Sequence, residues 1–360
     1  MTARSTGEAE GGMAARAGRL LAMARDRGVA TTLNHVAAAI AVRRRPRVVR
    51  SWPRFLQFEV TSRCNMACAQ CSRSTLGVPA RQGHMSLTLF ESLLGQFHRY
   101  QSVTLHGLGE PLLNPELPAM VKAVRARSAH VRVGFNTNGL RLTPDLARSL
   151  AEAGLDEIGV SLDAASSDTH RAVRGGGFEE IVARVRAVCA SREPRPAMAL
   201  ALVVMEPNIG ELVQFVELGK SLGVDRVSLC DLSMRWRAQG ADPMAVRSLD
   251  AARQNSLEAE RRAREAGLPF WYTRLDRALW PDAFIPCFYL WDYPYITWEG
   301  RLTPCCALPY AEHSLGDLRA TPFRRLWNGP AYRAMRAALV SGRIPPPCAN
   351  CHHASPEGPP

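Results

Sequence analysis

The sequence predicts an α/β fold: a partial (β/α)6 TIM-like barrel, with a small cysteine-rich region at its C-terminal end and a basic helical arm at its N-terminal end. Three observations lead there. Between residues 55 and 266, short β-branched runs alternate with amphipathic helical stretches. Ten cysteines fall mostly into two groups, one on each side of that alternation. Nine arginines stand against a single acidic residue between Met13 and Arg50.

The elements follow in order. Residues 1–12 are small and polar and read as disordered. Met13 to Arg45 has helix-compatible spacing broken by Gly28, and Pro46 and Pro53 bracket an extended connector. This basic arm suits a helix packed on the barrel, a solvated tail or a weak membrane-surface contact. Strands are expected at Phe55–Thr61, Val103–His106, Val131–Asn136, Glu157–Leu162, Met198–Val204 and Arg226–Cys230. Helices are expected at Leu87–His98, Pro115–Arg127, Pro144–Ala153 with Thr143 as N-cap, Phe178–Ala190, Ile209–Leu222 and Leu249–Ala266. Six strand–helix units imply right-handed crossovers and a parallel sheet, short of a closed eight-fold barrel. The chemistry then belongs at the C-terminal ends of the strands. Around Pro281 the alternation gives way to aromatics, prolines and cysteines. The expected division is 1–50 for the arm, 51–283 for the core and 284–360 for the auxiliary region.

Composition excludes several classes. The apolar fraction of 46% and charged fraction of 22% are ordinary for a globular chain. No apolar run approaches the ~20 residues of a spanning helix. The formal charge of +12 is nearly all arginine, lysine occurring only at positions 122 and 220. Aromatics do not interleave with it, which argues against nucleic acid as a partner. Clustered cysteines without an export signal point to metal or iron–sulfur ligation in a reducing compartment, the cytoplasm, rather than to disulfides.

The first group, Cys64-Asn65-Met66-Ala67-Cys68-Ala69-Gln70-Cys71, follows the first strand. A mononuclear zinc site wants a fourth ligand, and a [4Fe–4S] cluster has one cysteine per iron. Three cysteines therefore leave one iron open. The spacing, and the place after strand one, resemble the signature of the radical S-adenosylmethionine (SAM) superfamily. His106-Gly107-Leu108-Gly109-Glu110-Pro111 resembles that family's Gly-Gly-Glu turn, with Leu108 in place of its first glycine. Asn136-Thr137-Asn138-Gly139 and Ser161-Leu162-Asp163 end the next two strands, and Arg174 lies beyond them. The resemblance implies that Gly109, Glu110, Asn138, Ser161 and Arg174 bind SAM. Asp163 reads equally as a helix cap or a turn residue. Gln70 replaces an aromatic that often precedes the third cysteine.

The second group runs Cys287, Gly300, Cys305-Cys306, then Cys348-Ala349-Asn350-Cys351, with a hairpin expected to turn at Gly300. It resembles the SPASM/twitch subfamily. The resemblance implies one auxiliary [4Fe–4S] cluster on Cys287, Cys305, Cys348 and Cys351, with Cys306 competing for Cys305's place; a structural zinc site on the same thiols is the alternative. Cys189 reads as helix packing. Cys230 and Asp231, at the end of the sixth strand, read as a hydrogen donor and a proton acceptor or as packing and capping groups, and His106 faces the same mouth.

The family implies reductive cleavage of SAM to a 5′-deoxyadenosyl radical that abstracts a substrate hydrogen atom. The expected function is oxidation or epimerisation of a small molecule, fed by an electron donor such as flavodoxin or ferredoxin. The alternatives are a peptide-modifying maturase and a non-catalytic iron–sulfur or zinc scaffold.

Overall fold

A computed structural model describes residues 13–75, 81–191, 196–232, 242–274, 280, 287–349 and 351. Residues 1–12, expected to be disordered, and the boundary expected near 283 lie outside them.

Ten strands form one sheet: β1 (Phe55–Phe58), β2 (Ser102–Thr104), β3 (Arg132–Thr137), β4 (Glu157–Ser161), β5 (Ala197–Val204), β6 (Arg226–Asp231), β7 (Phe270–Thr273), β8 (Tyr295–Ile296), β9 (Arg301–Thr303) and β10 (Gly316–Asp317). Their order is β10-β9-β8-β1-β2-β3-β4-β5-β6-β7. Strands β1 to β7 pair in parallel, each with the next. Among the described residues no pairing joins β7 to β10, so the barrel is open. The parallel α/β architecture matches the sequence reading, with one strand more. β7 is four residues long and follows Pro269, and it lacks the alternation that marks a strand in sequence. The cysteine-rich region does not stand apart from the sheet. β8 pairs in parallel with β1, and β9 and β10 extend the same edge antiparallel. The hairpin turns at Gly300, whose φ of +84° a side chain would resist.

Alternation sorts each strand into a helix-facing and a lumen-facing set. On β6, Val227 and Leu229 are buried in the main core, and Val227 packs on Gly219 of the helix Leu212–Leu222. Arg226, Ser228 and Cys230 take the lumen side. The lumen floor is closed by an ion pair. Arg226 grips Glu157 with both nitrogens, at 2.5 and 2.6 Å, and lies 3.6 Å over the Trp271 ring. The intervening β5 presents alanines here, and a bulkier residue would not leave room for the bridge. Beside it a pocket runs from the strand starts at Ser102, Arg132 and Glu157 up to His106 and Asn136.

Capping is as the sequence demands. Thr143 accepts from the Leu146 N–H at 3.2 Å, and Ser86 and Ser166 cap their helices in the same way. The arm forms two helices, Met13–Arg27 and Val29–Arg44, broken at Gly28. Asn34 accepts from the Trp52 N–H at 2.8 Å and fastens the second helix beneath the barrel, beside the start of β1.

The β8–β9 hairpin is tied to β1 by a buried carboxylate that the sequence reading did not single out. Glu59 accepts from the N–H groups of Leu108 and Trp298, each at 3.2 Å. Burial pushes its pKa up to about 7, against the pull of those two donors. A raised carboxyl pKa means that the folded state binds the proton more tightly. Its destabilising contribution is therefore absent below pH 4.5 and grows as pH rises to 7, reaching about 3 kcal/mol. Glu59→Gln loses one acceptor but cannot ionise. Its thermal midpoint should lie below that of the wild type at pH 5, and the gap should narrow or reverse at pH 8. A gap that does not change with pH would refute the assignment.

Candidate active site

The cluster loop leaves β1 at its C-terminal end, where parallel-barrel chemistry sits. It is held by its own backbone and by neighbours. The Arg63 carbonyl accepts from the Glu110 N–H at 2.8 Å, and the Cys68 carbonyl accepts from the Cys71 N–H at 3.1 Å. The Ala69 N–H donates to the Val173 carbonyl at 2.9 Å. The Arg73 guanidinium donates to the Ser62 carbonyl. Cys68 is buried, Cys64 and Cys71 half-buried. Burial pushes the Cys68 thiol up to about 11, with Arg174 opposing the rise, and pushes Cys64 up as well.

The three thiols are near enough for each to feel the charge of the others. Three thiolates, each able to take a separate iron, are the donor set a cubane uses, with one iron left for another ligand.

Asp163 organises this end of the barrel. It follows β4 with φ +60°, a left-handed conformation that Asp tolerates better than most residues. Its Oδ1 accepts from the Val203 N–H at 2.7 Å. Its Oδ2 accepts from Gln70 Nε2 at 2.7 Å and from Arg174 Nε at 2.8 Å. Arg174, at the end of the helix Ser167–Arg174, also points Nη1 to Cys68 Sγ at 3.8 Å. Burial opposes the Arg174 cation, but Asp163 and the nearby Cys68 together raise its pKa. Gln70 therefore takes a polar grip on the barrel where relatives of this motif often place a ring. Reading Asp163 as a cap or turn residue understated it, since one carboxylate holds both the loop and the arginine. The only signal in sequence was an Asp at a strand end, a position that favours residues able to take positive φ.

The other expected SAM residues gather around the loop. Glu110 is 3% exposed and accepts from Thr137 Oγ1 at 2.6 Å, the Asn138 N–H at 2.7 Å and the Leu112 N–H at 3.1 Å. Asn138 in turn donates to Asn65 Oδ1, inside the cluster motif, at 2.8 Å. A Cβ at Gly109 would run into the carbonyl oxygens of Thr61 and Arg63, so glycine lets the turn lie against the loop. Ser161 ends β4 on the lumen side, two residues before Asp163.

His106 lies in the lumen, where Nδ1 accepts from the Asn136 N–H at 2.9 Å. A backbone N–H can only donate, so the ring proton is on Nε2. Burial lowers the His106 pKa to about 3, and the neutral ring offers that N–H to the cavity. Cys230 shares the lumen, its thiol pushed well up by burial, then by Asp163, Asp231 and Cys306. Asp231 is a correction. Adjacent strand residues face opposite sides, and Asp231 points into the helix layer, accepting from Tyr272 at 2.6 Å. Ser256 joins that pair from the helix Leu249–Glu265. Asp231 is not placed to take a proton in the lumen. Cys189 packs against the core.

The second cysteine group lines a cavity. Cys287, Cys305, Cys348 and Cys351 share its wall with Leu290, Pro304, Ala307, Met335 and Leu339. Four thiols on an apolar, dry wall fit a cluster ligated at every iron. Burial pushes Cys287 up to about 12, and Cys351 and Cys348 add to the rise. Cys306 is not on that wall. It donates to the Tyr289 hydroxyl at 3.7 Å and lies within electrostatic reach of Cys230, Tyr293 and Tyr295. Tyr289 lines the cavity and accepts from Cys306.

Known proteins agree with this geometry. The Radical SAM superfamily matches residues 58–219, and the SPASM iron–sulfur cluster-binding domain matches residues 287–352. The PqqA peptide cyclase of Streptomyces rochei is 30% identical over 83% of this chain and 81% of its own length. The AdoMet-dependent heme synthase of Methanosarcina barkeri is 25% identical over 79% of this chain and 85% of its own. The structure of Streptococcus suis SuiB bound to its precursor peptide SuiA superposes with a TM-score of 0.68 at 15% identity, covering 90% of this chain and 74% of that one. The fold is thus shared, and the domains imply a [4Fe–4S] cluster, an auxiliary cluster and SAM. The chain belongs to the radical SAM superfamily, in its SPASM/twitch subfamily.

Proposed function

We propose that this radical SAM enzyme is an oxidoreductase that removes a hydrogen atom from a small molecule held in the barrel lumen, oxidising or epimerising it. One observation carries the reading. Tyr289 lines the cavity of the second cysteine group and accepts from Cys306, which lies within electrostatic reach of Cys230 on the lumen side of β6, so polar groups lead from the auxiliary side toward the substrate side. Bound at the two sites, the clusters and SAM supply one-electron chemistry and a hydrogen-abstracting radical. The chain's own residues do the rest.

Cys64, Cys68 and Cys71 hold the catalytic cluster, and Cys287, Cys305, Cys348 and Cys351 the auxiliary one. Gly109, Glu110, Asn138, Ser161 and Arg174 form the SAM side. His106 offers its Nε2 proton to a substrate oxygen, and Cys230, on the lumen side of β6, serves as a hydrogen donor. The Arg226–Glu157 pair and Trp271 exclude water from below. Residues 51–283 serve as the core and 284–360 as the auxiliary region. Such thiols need a reducing compartment, the cytoplasm, with an electron donor of the flavodoxin or ferredoxin kind.

A second reading is modification of a ribosomal peptide. It is favoured by the likeness to a peptide cyclase, at 30% identity. Isotope tracing separates the outcomes once a substrate turns over. Oxidation leaves no solvent deuterium at the reacting carbon, and epimerisation installs one.

Two experiments test the site. Reconstituted without oxygen, the wild type should carry about eight irons per chain. Cys305→Ala should fall to about half that, while Cys306→Ala keeps the full count. Equal losses in the two variants would refute the division of labour between these neighbours. Asp163→Asn should release Gln70 and Arg174, because its oxygen stays on the Val203 N–H and the NH2 it turns toward them cannot accept. Breaking a buried pair of this kind costs about 3–5 kcal/mol. Release of 5′-deoxyadenosine under reductant should drop at least about tenfold, with the auxiliary cluster's paramagnetic signal retained. Unchanged release would remove Asp163 from the site.

A further inference from the structure

The helix Val29–Arg44 is inverted relative to an ordinary surface helix. Its buried face carries Thr32, Asn34, Ala38 and Ala41, which are small or polar. Its solvent face carries Val29 and Leu33, each 65% exposed, and Ile40 at 48%. Spacings of four and seven residues put these three on one stripe. Leu21 on the preceding helix and Val48 just beyond are exposed as well. Five of the eight exposed large hydrophobic residues among those described thus fall within 28 residues. The arrangement is not a loose tail. Asn34 fixes the helix to Trp52, and the chain just after it is pinned where Val49 exchanges hydrogen bonds with Asn328, at 2.8 and 2.9 Å.

Charge says what covers the stripe. Residues 13–50 contribute +8 of the chain's +12, with Asp26 their one acidic member. Arg19, Arg25, Arg43, Arg44, Arg47 and Arg50 are exposed, and among the described residues none is in an ion pair. A second copy of the arm would set the same guanidiniums against one another. An anionic surface would be complementary, with aliphatic side chains entering the interface and arginines reaching its headgroups. No helix among the described residues is long and apolar enough to cross a bilayer.

We infer that this face is a peripheral docking site for anionic lipid bilayers, holding the barrel by its floor with the mouth turned away from the membrane. The full chain should sediment with vesicles of phosphatidylcholine containing about 30% phosphatidylglycerol at least tenfold more than with phosphatidylcholine alone. The difference should collapse at high salt. Leu33→Glu with Ile40→Glu should cut binding at least tenfold, and so should Arg43→Glu with Arg44→Glu. Release of 5′-deoxyadenosine should be unchanged in both, since neither pair touches the cluster loop. The arginine pair also guards against misfolding of the apolar variant, with circular dichroism as the check. Equal binding to both vesicle types, no binding to either, or binding that survives both variants would overturn the inference. So would a dimer, seen by light scattering, that the Leu33 and Ile40 substitutions dissociate, or an acidic protein that competes the chain off its vesicles.

Discussion

The active end of this molecule depends on a single buried carboxylate. Asp163 is 1% exposed, yet it joins three parts of the chain that are distant in sequence: the cluster loop through Gln70, the helix ending at Arg174, and β5 through the Val203 N–H. Its carbonyl accepts in addition from Asn208 at 2.9 Å. A buried charge is stable only when paired and fully hydrogen-bonded, and both conditions are met here. The left-handed backbone at Asp163 is what turns the carboxylate toward the loop rather than along the strand. The position of Cys68, its contact with Arg174 and the seating of the motif against β4 all follow from that one turn.

A second constraint operates at the other cysteine group, where the chain turns just after β9 and the Leu308 N–H donates to the Cys305 carbonyl at 3.0 Å. Cys305 lines the apolar cavity with three other thiols, and Cys306 instead donates to Tyr289. Strand parity separates Cys230 from Asp231. One enters the lumen, and the other joins Tyr272 and Ser256 in the helix layer.

Much of this was legible in the sequence, because the signals are local. The alternation of strand and helix, the cap at Thr143, the turn at Gly300 and the cysteine spacings each depend on a few contiguous residues. What escaped depends on tertiary context. β7 is recognised only by the strand it pairs with. Glu59 looks like any strand-end acid until the hairpin closes over it. The weight carried by Asp163 comes from partners 93, 11 and 40 residues away. The orientation of Asp231 is different, because strand parity alone, applied to Cys230 and Asp231 together, would have placed only one of them in the lumen.

The arm and the auxiliary region meet through a group that propensity rules would place on the surface. Arg336 is fully buried on the helix Pro330–Val340, and among the described residues it pairs with no carboxylate. Burial pulls its pKa down to about 10, and Tyr332 opposes that fall. What keeps the cation inside is a set of dipoles and ring faces. It donates to the carbonyls of Leu290 at 2.8 Å and Arg47 at 3.2 Å and to Asn328 Oδ1 at 3.2 Å, and it lies 4.6 Å over the Trp327 ring. Leu290 lines the cavity of the second cysteine group, Arg47 belongs to the connector after the arm, and Asn328 also holds Val49. One guanidinium thus fixes the wall of a metal-binding cavity and the end of the basic arm together. Displacing the arm would leave this cation without some of its acceptors, so the arm is bound to the auxiliary region by the same desolvation penalty that keeps Arg336 in place.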